Sequence, residues 1–154
     1  MRCWVDDADL SLWLELDDEP ATLDLTRDGL GDRILDAAVE GMIAAHARQE
    51  SPAGVRWAKL AAATVKQKGH ATIGVRTGGM LDPDRWRTAP RDLEARRVGW
   101  IYPYGDDRRG RAYGQAYGFH AGNPKTGQPA RPLIGWTARA KAEAQALIRE
   151  QLGA

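Results

Sequence analysis

The stretch DGLGDRILDAAVEGMIAAHARQ, residues 28–49, decides how this chain folds. Leu30, Ile34, Ala38 and Met42 recur every fourth residue, and Leu35, Val39 and Ile43 form a second row beside them. Two adjacent rows at helical spacing make a wide apolar arc, the mark of a helix packed into a core. Asp32, Asp36 and Glu40 fall outside the arc. The spacing therefore predicts a long central helix from about Asp28 to Gln49, stopped by Ser51-Pro52, because the residue before a proline is pushed out of helical geometry.

The flanks read differently. Upstream, Leu10, Leu12, Leu14 and Leu16 alternate with Ser11, Trp13 and Glu15. That period of two predicts a half-buried strand with Trp13 on the face opposite the leucines, open to a partner. Asp17-Asp18-Glu19-Pro20 ends it. Downstream, residues 51–60 are turn-rich and carry two apolar anchors, Trp57 and Leu60. Ala61 to Lys68 suits a short helix, with Gly69 as its left-handed cap. Strands are expected at Ile73–Thr77, Trp86–Ala89 and Val98–Tyr102, with turns at Gly78-Gly79 and Pro90-Arg91-Asp92. The spacing of Tyr113 and Tyr117 gives a helical turn before His120, and 122–132 is a loop. Thr137 is an N-cap for a last helix reaching about Leu152, with Ala140, Ala144, Leu147, Ile148 and Leu152 as its apolar stripe. No repeat and no second core is visible. The expectation is one α+β domain over 1–154, with a small mixed or antiparallel sheet packed by the long central helix and the C-terminal helix.

Composition agrees. The chain has 154 residues, 43% hydrophobic and 28% charged, which suits one globular domain and excludes disordered, collagen-like and coiled-coil classes. No apolar run approaches the ~20 residues of a membrane span. One cysteine, Cys3, leaves no intrachain disulfide and no cysteine-based zinc site. No basic leader followed by an apolar core opens the chain, so secretion by that route is not expected. The net charge of +1 hides a polarity: residues 1–40 hold twelve acids against three bases, and residues 41–154 hold nine acids against nineteen bases. Such a chain can pair head to tail with its own copies or turn one sign toward nucleic acid.

The usual catalytic patterns are missing. His46, His70 and His120 show no metal-ligand spacing, and His46 sits where a cation would complement the helix C-terminus. No nucleophile elbow, phosphate loop or dinucleotide fingerprint follows a strand. The acid pairs Asp82/Asp84 and Asp106/Asp107 are flanked by arginines and read as surface ion pairs. Neither a cofactor nor a catalytic residue is expected. What stands out is the Arg-rich stretch 82–112. Arg85, Arg87, Arg91, Arg96, Arg97, Arg108, Arg109 and Arg111 interleave with Trp86, Trp100, Tyr102 and Tyr104. Arginine with aromatics suits backbone neutralisation and base stacking on nucleic acid, and equally suits a protein interface. Five interrupting acids favour the protein interface. Of the six tryptophans, Trp57, Trp100 and Trp136 are expected in or beside the core, and Trp4, Trp13 and Trp86 at an interface.

The order of segments resembles a known family. Ser51-Pro-x-Gly-x-x-Trp57-x-x-Leu60, then Thr64, Lys68-Gly69-His70 and Ile73-x-Val75-x-Thr77-Gly78, resemble the phage virion morphogenesis family, the tail-completion or neck proteins. Tyr113-Gly-Gln-Ala-Tyr117-Gly-Phe119 resembles a second signature, with Tyr117 where a histidine is usual, and Pro129-Ala-Arg131-Pro132-Leu133-Ile134-Gly135 resembles a third that precedes a C-terminal helix. The likeness spans 28–152, with 82–112 as an insert and 1–27 as an added strand and acidic segment. It implies a non-enzymatic subunit of a six-fold ring at the virion neck, assembled in the host cytoplasm. The implied partners are its own copies, the tail tube, a tail terminator or the head-side connector, with genomic DNA passing through the lumen and no membrane. Arg131, restrained between Ala130 and Pro132, either aims its fork at a carboxylate or belongs to a rigid turn that launches the last helix, and the two are compatible. The alternative is a nucleic-acid-binding module built on 85–111. The residues expected to carry an interface or motif role are Trp13, Trp57, Leu60, Trp86, Arg108, Arg109, Arg111, Tyr113, Tyr117, Arg131 and Pro132.

Overall fold

The long helix forms as the periodicity requires. The structure is a computed structural model describing residues 1–6, 11–16, 29–69, 71–73, 87–88, 97–101 and 119–153. Helix α1 spans Leu30–Ala47 and buries Leu30, Ile34, Ala38, Val39 and Met42. Its second row is weaker than expected: Leu35 is half-buried and Ile43 is 38% exposed. The helix also stops before Ser51-Pro52. Gln49 turns the chain in a left-handed conformation, φ 61°. Its side-chain amide donates to the His46 carbonyl at 2.9 Å, while its Oε1 accepts from the Ile73 N–H at 2.6 Å. One side chain thus adds a second bond to a helix-end carbonyl that its own N–H already reaches, and ties down a distant segment.

Strands β1 (Arg2–Asp6), β2 (Ser11–Glu15), β3 (Arg87–Thr88) and β4 (Arg97–Ile101) form an antiparallel sheet in the order β1-β2-β4-β3. The strand expected at Leu10–Leu16 is therefore central. Leu12, Leu14 and Leu16 enter the core, and Ser11 and Glu15 on the other face are buried too. β1 was not expected. Cys3 and Val5 share the core face with their partners Leu14 and Leu12, while Trp4 pairs with Trp13 on the opposite face. β3 and β4 lie within or beside the expected strands. The expected Pro90-Arg91-Asp92 turn, the Gly78-Gly79 turn and nearly all of the expected 73–77 strand fall outside the described residues.

Helix α2 (Ala62–Lys68) ends on Gly69 in the left-handed conformation, φ 78°, as expected. Helix α3 (Ala138–Leu152) buries Ala140, Ala144 and Ile148 against α1. Thr137 caps it: Oγ1 accepts from the Ala140 N–H at 3.0 Å. Gly41 lets the two helices approach, since a Cβ there would lie 2.6 Å from Thr137 Oγ1. Thr137→Ala is expected to lower stability by about 1 kcal/mol, read as a shift in the denaturant midpoint. The fold is α+β, with the β2 leucines, α1 and α3 sharing one core. Among the described residues no helix is long and apolar enough to cross a membrane.

Candidate interface groove

Two irregular segments meet on one side of this core. The first follows α1. Glu50 and Arg56 bridge to close a tight loop. The buried Ser51 holds it: its N–H donates to the Val55 carbonyl at 2.8 Å, its carbonyl accepts from the Gly54 N–H at 2.8 Å, and its Oγ accepts from the Val55 N–H at 3.2 Å. Gly54 permits the turn at φ 80°. The loop throws Val55 outward, 65% exposed, and folds Trp57 inward, 8% exposed.

The second segment precedes α3. Residues 119–121 are helical, and Asn123 bridges to Gln128 across a turn. Gly122, at φ 78°, has no room for a side chain, since a Cβ would lie 2.6 Å from the Ala130 nitrogen. The chain then runs back past its own start. The Arg131 N–H donates to the Phe119 carbonyl at 3.0 Å, and the buried His120 Nδ1 accepts from the Leu133 and Ile134 N–H groups at 3.2 and 3.3 Å. His120 is thus a backbone staple.

Arg131 joins the two segments. Its Nε and Nη2 each donate to the Ala58 carbonyl at 3.2 Å, 73 residues away in sequence. This corrects the expectation of a carboxylate partner: a backbone carbonyl takes the fork. At 5% exposure Arg131 is internal. Burial pulls its guanidinium below its ordinary value, which starts so high that the group stays charged. The guanidinium lies over Phe119, 5.9 Å to the ring centroid. Phe119 meets Trp57 edge to face at 5.3 Å, and Trp57 meets His46 likewise at 5.3 Å.

His46 corrects a second expectation. It is buried at the end of α1, and desolvation pushes its imidazole below the ordinary 6.5, so it is not a cationic cap at neutral pH. Among the described residues its Nε2 and the Trp57 Nε1 are buried without hydrogen-bond partners. The unfolded chain therefore binds a proton that the folded chain resists. Stability from this group is complete above about pH 6.5 and falls as pH drops below it. Denaturant midpoints measured from pH 8 to 5.5 are expected to decline below 6.5, and the His46→Gln variant to decline less.

Between the segments lies an apolar groove of about 430 Å³, walled by Pro52, Val55 and Trp57 on one side and Pro132, Ile134 and Trp136 on the other. Gly135 lets its segment approach Pro52 closely, since a Cβ there would sit 3.1 Å from the ring. Its N–H donates to the Met42 sulfur at 3.4 Å, which anchors the floor to α1.

The structure brings Trp57, Arg131 and Pro132 to this junction and packs Leu60 against the core. Trp13 lies elsewhere, on the sheet face opposite the leucines. It stacks on Trp4 at 6.1 Å and 12°, and its Nε1 donates to Ser11 Oγ at 2.7 Å. Trp4 in turn carries the Arg2 guanidinium 5.4 Å from its ring. Trp86, Arg108, Arg109, Arg111, Tyr113 and Tyr117 lie outside the described residues. No sequence pattern assigned Gln49, Ala58 or His120 these roles, although Phe119, the last residue of the second signature, directly precedes His120. No family model, characterised protein or solved structure matches this chain.

Proposed function

We propose that this chain is a structural subunit of a ring at a phage head–tail junction, completing or joining the tail. The observation that carries the reading is the Arg131–Ala58 clasp. It draws the 51–60 and 129–135 segments, the two halves of the resemblance, into one rigid surface feature. A ring closes through heterologous contacts, one patch against a different patch of the next copy. The acidic start and basic remainder of the chain carry opposite charge, which suits such contacts. Copies of itself, a tail tube, a terminator or a connector are the partners this role requires, and the virion neck is its place.

Inactivating the gene tests this. The expected lysate contains DNA-filled heads and separate tails, and adding the purified protein joins them and restores infectivity. Normal titres of intact particles without the protein would refute the proposal.

A further inference from the structure

The described residues expose two large aliphatic side chains, and each sits in surroundings of opposite charge. Val55 stands on the rim of the groove. Beside it Arg56 is 87% exposed, 4.0 Å from a Glu50 carboxylate that Arg48 already holds at 3.0 Å. Lys59, also exposed, follows Ala58 of the groove wall and has no ion pair among the described residues. The rim is thus apolar with an excess of positive charge.

Ile43 lies on α1. At 100° per residue, Asp32, Ile43, Asp36 and Glu40 fall on one narrow stripe facing away from the core, and all four are exposed. Asp32, Asp36 and Glu40 have no ion pair among the described residues. Their neighbour Arg33 is drawn aside to Glu150 at 2.9 Å. The stripe is acidic with one aliphatic anchor, the complement of the groove.

We infer that the groove between Pro52 and Trp136 takes the outer face of α1 from a second copy of this chain. Ile43 seats beside Val55 over the apolar floor, and Asp36 and Glu40 meet Arg56 and Lys59. Donor and acceptor surfaces differ, so each copy engages one neighbour through each, and the contact propagates until a ring closes. The Arg131 clasp sets the groove's shape before the partner arrives, which lowers the ordering cost of docking. The contact depends on exposed charges, so salt weakens it. This inference rests on the ring reading and names the surfaces that would build it.

Charge reversal tests it. Asp36→Lys with Glu40→Lys makes one variant, and Arg56→Glu with Lys59→Glu the other. All four positions are exposed, and only Arg56 has an ion pair among the described residues, at 4.0 Å to Glu50, so both variants stay folded, which a cooperative thermal melt checks. In sedimentation equilibrium at low salt the wild type associates, each variant alone associates at least tenfold more weakly, and an equimolar mixture of the two regains association. As a second measurement, carbodiimide coupling of labelled with unlabelled wild-type protein joins Lys59 of one copy to Asp36 or Glu40 of another. A wild type that stays monomeric and yields no such crosslink, or reversals that leave association unchanged, overturns the inference. The gene-inactivation phenotype is independent of this outcome, so a failed contact and a failed neck role are distinguishable.

Discussion

Trp57→Ala is expected to cost about 3–5 kcal/mol of stability, the largest loss from any single substitution considered for this chain. The indole is the centre of a column, edge to face with both His46 and Phe119 at 5.3 Å. It also joins the end of α1 to the groove wall. Removing it opens a cavity that the loop above cannot fill, because Ser51 and the bridge from Glu50 to Arg56 fix that loop's backbone. Part of the loss is offset, since the buried Nε1 has no hydrogen-bond partner among the described residues to forfeit. Trp57→Phe keeps the ring contact, drops the unpaired N–H and is expected to recover more than half of the loss. Urea denaturation of the three proteins, compared at equal slope, measures the difference.

Arg131→Ala is expected to cost about 1.5–3 kcal/mol, the range for hydrogen bonds to a charged group. Water can reach the Ala58 carbonyl once the fork is gone, because Ala58 is exposed, and this keeps the figure below that for Trp57. Arg131→Lys is expected to be no better than alanine. A lysine keeps the charge at a site only 5% exposed, but it cannot present two N–H groups in one plane or lie flat over Phe119. Thermal melts of the three proteins read the effect. A lysine variant as stable as the wild type would show that charge alone, and not the fork, holds the two segments together.

The contrast between these sites and the helices shows which physics a linear sequence carries. α1 and α3 are local objects. A 3.6-residue period, the cap at Thr137 and the absence of internal proline specify them without reference to the rest of the chain. The β2 leucines behave in the same way, because a period of two is also local. β1 is different. Arg2-Cys3-Trp4-Val5-Asp6 is too short to show a pattern, and it becomes a strand only because β2 offers an edge on which Trp4 can stack over Trp13. The end of α1 also has a non-local part: the Gln49 side chain accepts from the Ile73 N–H, 24 residues on. Arg131 shows the limit most clearly. Its flanking residues predict a restrained backbone, and that is present. Its partner is a main-chain carbonyl 73 residues away, and a carbonyl has no residue type that a motif could register.

Desolvation explains the remaining disagreement. From its place near the end of α1, His46 reads as a cation beside the helix dipole. Burial against Trp57 outweighs that attraction and leaves the ring neutral at neutral pH. A dipole term of ~0.5 kcal/mol near a helix end is small beside the cost of burying an unsolvated charge.

The proposed role depends on where the molecule resides when it works. Electron cryomicroscopy of purified particles, with this chain's fold fitted into the map, tests that directly. The expected result is a closed ring of copies between head and tail, with the outer face of α1 from each copy lying in the 52–136 groove of the next. Particles that contain no copy of the chain, or copies placed singly and away from the neck, would contradict it.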